Sequence, residues 1–192
     1  MVKRLACALV LVAVAAGAAA QAPQRIRGTI TAIDGNVMAV KSREGKDLKL
    51  ELAPDLGVST AKATTLAELK GKYVGVTAHE KDGRLVASEV HAIPPQAPAG
   101  HMKWDSDPGA SMTNANLDAI AQVTGGNEIT MTYKGGAQKI LVPPGTPVVT
   151  FVPGTRADLK PGETIFTSAR AEGDKLVASR VSVSKDGVKP PQ

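Results

Sequence analysis

The chain has 192 residues, a formal net charge of +5, 3% aromatic residues and one cysteine. A single thiol excludes a disulfide framework and a multi-thiolate metal site within the chain. So small a charge bias gives no reason to expect a polyanionic partner.

Residues 1–24, "MVKRLACALVLVAVAAGAAAQAPQ", carry two early cations (Lys3, Arg4), an apolar run from Leu5 to about Ala16, and small residues around Ala18–Ala20. This pattern predicts a signal peptide over 1–20, cut after Ala20, and hence a periplasmic or secreted protein. The apolar run is shorter than the ~20 residues that span a bilayer. No later run approaches that length, so no transmembrane segment is expected in the mature chain. Cys7 leaves with the signal. Loss of Lys3 and Arg4 leaves 21 cations against 18 carboxylates, a net charge of +3.

"RIRGTITAID" follows, rich in β-branched residues, and Asp34-Gly35 reads as a hairpin turn into "NVMAVKS". "DLKLEL" alternates strictly, with Leu48, Leu50 and Leu52 on one face and Asp47, Lys49 and Glu51 on the other, which predicts a half-buried strand. Thr65 and Glu68 have the spacing of a capping box on a short helix. "KYVGVTAHE" and "RLVASEVHAI" then read as two strands joined at Lys81-Asp82-Gly83.

The same order returns at an offset of 91 residues. Gly35-Asn36 falls on Gly126-Asn127, Gly45 on Gly136, Gly71 on Gly162, and the "LVAS" of Leu85–Ser88 on that of Leu176–Ser179. We therefore divide the mature chain into two copies, 25–93 and 116–185, with a Pro/Gly-rich linker over 94–115 and a tail over 186–192. Three strands, a short helix and two strands is the chain order of an OB-fold. The predicted fold is all-β: two tandem five-stranded OB-like barrels, each with one short helix between its third and fourth strands. In sequence, "G-x-I-x-A-I-D-G-N", "L-K-G-K-Y-V-G-V" and "D-G-x-L-V-A-S" resemble small secreted bacterial OB-like β-barrel domains of uncharacterised function, often tandem. The resemblance covers both copies, and its signatures are structural, carrying no family catalytic residues onto this sequence.

The turns flanking the expected binding face are too short to enclose a polymer, and aromatic platforms are scarce, so no nucleic-acid role is expected. His79 and His91 are expected as surface histidines, with His79 opposite Val86 and His91 opposite Val74, too far apart to share a metal. Unusual side chains gather instead in 94–115, where His101, Met102, Trp104 and Met112 are the candidate ligand-binding residues. In the simplest account Trp104 and Met112 anchor the linker on the barrels. Imidazole and thioether together also suit copper. The expected function is a periplasmic binding or interaction module for an envelope protein or small ligand. The alternative is an accessory protein that handles a soft metal such as copper, and an enzyme of unknown class ranks third. No catalytic residue, resident metal or cofactor is assigned.

Overall fold

The computed structural model describes residues 22–191, so the expected signal peptide and its cleavage site lie outside the described residues. Twelve strands form: β1 (Gln24–Asp34), β2 (Val37–Ser42), β3 (Asp47–Ala63), β4 (Tyr73–Lys81), β5 (Arg84–Ala92), β6 (Gly100–Lys103), β7 (Ala110–Val123), β8 (Gly126–Tyr133), β9 (Gly136–Val142), β10 (Val148–Pro153), β11 (Thr164–Glu172) and β12 (Lys175–Val183). Among the described residues no helix is long and apolar enough to cross a membrane.

Local chemistry accounts for most elements. In β3, Leu50 and Leu52 are buried while Asp47 and Lys49 are exposed, as alternation requires. The helix α1 (Leu66–Leu69) is one turn closed by its capping box, with the Glu68 N–H donating to Thr65 Oγ1 and the Thr65 N–H to Glu68. A 3-10 turn at Arg156–Asp158 holds the same place in the second copy, where Asp158 accepts from the Thr155 N–H. The β4–β5 turn is Asp82-Gly83, both at positive φ. The first hairpin turn is Gly35-Asn36, one residue later than expected, because Asp34 already pairs with Val37.

The chain closes its barrels differently from the expectation of one barrel per copy. β1, β2 and β3 form a closed five-stranded barrel with β12 and β11 of the second copy, sealed by the parallel β3–β12 pairing from Leu50–Leu176 to Thr60–Val183. β7, β8 and β9 pair in a second ring with β4 and β5 of the first copy, joined by the parallel pairs Leu85–Ile140 and Val86–Leu141. Each ring encloses its own core, and both copies contribute buried residues to each core. Ile30, Met38 and Leu50 meet Ile165, Val181 and Val183 in the first, while Val74, Val76 and Val90 meet Leu117, Ile129 and Met131 in the second.

The cause lies in β3 and β10. β3 runs on past Gly57 to Ala63 and pairs antiparallel with β10, from Ser59–Pro153 to Ala63–Val149. These pairs are symmetric about Ala61–Phe151. Two arms that pair with each other cannot turn back, so each delivers the following helix and hairpin to the other copy's barrel.

The linker also differs from expectation. Residues 94–99 and 104–109 lie outside strands; β6 and β7 begin inside the span, and the expected copy boundary at Asn116 falls in mid-strand. The prolines fall at 94, 95, 98 and 108, all outside β6 and β7, so none interrupts the pairing, and β6 runs antiparallel to β7 from Gly100–Asn114 to Lys103–Ser111.

Candidate binding cleft

The outer faces of the two rings meet across a cleft of about 690 Å³. One wall is β1, β11, β12 and the outer part of β3, carrying Arg25, Phe166, Ser168, Arg180, Ser182 and Ser59. The other is β5, β7 and β6, carrying Glu89, His91, Asn114, Met112 and Met102, and Phe151 comes from β10 near the pseudo-symmetry axis.

Three of the four candidate residues line this cleft. Met102 and Met112 are cross-strand partners, which on one face places side chains about 5 Å apart at Cβ. Met112 is fully buried. Trp104 follows at the start of the β6–β7 loop. His101 is not brought to the cleft: it is exposed, and its Nδ1 lies 2.8 Å from Thr113 Oγ1. Adjacent strand residues point to opposite faces, so Met102 and His101 cannot serve one site.

The imidazole in the cleft is that of His91, and here the surface expectation is corrected, since the residue is only 8% exposed. It faces Gly75 rather than Val74, because a bulge at Thr77–Ala78 shifts the β4–β5 register by one residue, while His79 stays opposite Val86. A Cβ on Gly75 would lie 2.8 Å from His91 Nε2 and 3.1 Å from Asn114 Oδ1, so the bare backbone is what lets the ring and the amide lie over β4. His91 Nδ1 is buried without a hydrogen-bond partner, and burial pushes the imidazole pKa down to about 4. The ring is therefore neutral at neutral pH.

The β6–β7 loop straps one ring to the other. Asp105 accepts from Arg27 Nη2 at 2.8 Å and from Arg25 Nη1 at 3.2 Å, and Arg43 donates to the Ser106 carbonyl. The Arg25 guanidinium lies 4.2 Å from the centroid of the Trp104 ring, a cation–π distance. Partial burial opposes ionisation of Asp105, but hydrogen bonds and charge from Arg27 and Arg25 hold its carboxyl below the usual carboxylate range. The 94–98 turn is pinned as well, by Tyr73 Oη donating to the Ala97 carbonyl and Asn114 Nδ2 to that of Pro98. Trp104 thus anchors the segment onto the first ring. Its Nε1 is buried and unpartnered.

The two walls occupy equivalent positions at the 91-residue offset, yet their chemistry has diverged. Gly75, Thr77, Glu89 and His91 correspond to Phe166, Ser168, Arg180 and Ser182. Glu89, which accepts from Thr77 Oγ1, has a cation as its counterpart. Sequence reasoning missed His91, Phe151, Phe166 and Arg180 as site residues; the Glu89/Arg180 reversal within otherwise matching strands was the available signal.

Among the described residues no group of three or more His, Cys, Asp or Glu side chains is placed to hold a metal ion. Neither protein-family models, nor curated proteins, nor solved structures match the chain.

Proposed function

We propose that this is an exported binding module that takes a small organic ligand in the cleft between two OB-like rings. The observation that carries the reading is the gathering of scarce aromatics. The chain has one Trp, two Tyr and two Phe, and Trp104, Phe151 and Phe166 line a single cleft together with Met102 and Met112. A volume of about 690 Å³ is within the range of small-molecule sites, which are mostly apolar with a few converging polar groups. The ring order, with three strands closed by a hairpin and the third and last strands parallel, supports the OB-like reading. The N-terminal pattern supports export, checked by finding Gln21 as the first residue of protein isolated from the envelope.

The test uses Trp104, the chain's only tryptophan. The neutral probe N-phenyl-1-naphthylamine is expected to bind once per chain with energy transfer from Trp104, and more weakly to Phe151→Ala. Absence of saturable binding refutes the reading.

A second reading, a soft monovalent metal, is favoured by one observation: the cross-strand Met102–Met112 pair shares its cleft with the imidazole of His91, whose Nδ1 is buried without a hydrogen-bond partner. Silver(I) titration tests it. Stoichiometric binding lost on His91→Ala but kept on His101→Ala supports this reading, and binding unaffected by either removes it.

A further inference from the structure

We infer that the ligand of the cleft is an organic anion, an apolar ring or acyl body with one carboxylate, sulfonate or phosphate group, and that Arg180 binds the anionic group. The inference rests on the cleft being a binding site and adds the chemical class of its ligand.

Three cleft features point the same way. Arg25 is already committed to Asp105 and Trp104, as is the neighbouring Arg27. Arg180 lines the same cleft and is exposed, and its guanidinium has no ion-pair or hydrogen-bond partner among the described residues. A guanidinium offers a planar fork of donors matched to oxyanions. Beside it, Ser59 Oγ and Ser182 Oγ are 2.9 Å apart. That bond uses one of their two hydroxyl protons and leaves the other to donate, and Ser168 adds a third hydroxyl to the wall.

The far wall sets the orientation. At the position equivalent to Arg180 it carries Glu89 in place of a cation, and its remaining cleft residues include His91, Met112 and Met102. An amphiphile therefore lies with its anion toward Arg180 and its body among Phe166, Phe151, Trp104 and the two methionines. Loss of a charge-assisted hydrogen bond to an oxyanion weakens binding by about tenfold or more.

The experiment pairs two probes of similar aromatic body, 8-anilinonaphthalene-1-sulfonate, an anion, and neutral N-phenyl-1-naphthylamine. Both are read by energy transfer from Trp104 in the wild-type chain and in Arg180→Gln and Arg180→Glu, with circular dichroism confirming the fold of each variant. Expected is a loss of about tenfold or more in sulfonate affinity with Arg180→Gln and a larger loss with Arg180→Glu, while the neutral probe changes by less than about twofold. Sulfonate affinity that is equal in all three chains, with neutral-probe binding intact, overturns the inference and leaves the cleft reading standing. No saturable binding of either probe overturns both.

Discussion

Exchange of strands between the copies makes a covalent prediction. Thr29 on β1 lies opposite Thr164 on β11, in the antiparallel pairing that joins the first copy to the second. If each copy closed its own barrel, the partner of Thr29 would instead be Tyr73, the equivalent of Thr164 at the 91-residue offset. Cys7 is the only native thiol, so in a chain lacking residues 1–20 a Thr29→Cys/Thr164→Cys pair has no competitor. Facing positions on antiparallel strands fall within the separation a disulfide accepts. The bond would close a loop of about 135 residues, for which chain entropy gives an upper value of about 5 kcal/mol and measured disulfides more often give 2–4. For a chain of this size that corresponds to a rise in Tm of roughly 4–16 °C. Non-reducing electrophoresis and mass spectrometry report the bond, and thermal unfolding with and without reductant reports its effect. Failure of this pair to form while Thr29→Cys/Tyr73→Cys oxidises readily and stabilises the chain would refute the exchange and restore one barrel per copy.

His91 should impose a pH dependence. Its folded pKa of about 4 lies below the unfolded value of about 6.5, so between these pH values the unfolded chain binds a proton that the folded chain refuses. Stability is therefore full above pH 6.5 and falls on acidification, by roughly 3 kcal/mol at pH 4; urea unfolding from pH 7.5 to 4.5 should show the slope, His91→Gln should flatten it, and an unchanged slope would contradict it. Asp105→Asn leaves Arg27, only 4% exposed at its side chain, without its carboxylate. With Asp105 itself half-exposed, the expected loss is about 1–2 kcal/mol, seen as earlier urea unfolding and easier proteolysis of the 104–109 loop, and no change would show that the strap is not held by this pair. Gly75→Ala sets a methyl against His91 Nε2 and Asn114 Oδ1 and should cost about 1–3 kcal/mol with a shift of the His91 ring resonances, whereas wild-type stability would mean that the imidazole does not lie over Gly75.

Most of what depends on nearest neighbours was legible in the sequence, although the first hairpin turn falls one residue later than its Asp34-Gly35 signal. Strict alternation in "DLKLEL", the Thr65/Glu68 capping box and the Asp82-Gly83 turn are local chemistry, and each forms where the residues placed it. The offset of 91 residues was legible too, because both copies obey the same local rules. Alternation tells which face of a strand must be covered but not which segment covers it. β5 and β12 carry the same "LVAS", so by sequence either could seal either barrel, and the choice falls to the β3–β10 pairing across the pseudo-symmetry axis, a contact between residues about 90 apart. The same holds for the cleft. A bulge at Thr77–Ala78 moves His91 onto Gly75, and pairing of β6 with β7 carries Met102 inward and turns His101 outward. Side chains as distant in sequence as Arg25 and Arg180 then share a wall only because β1 and β12 both pair with β11, a relation that no stretch of neighbouring residues encodes.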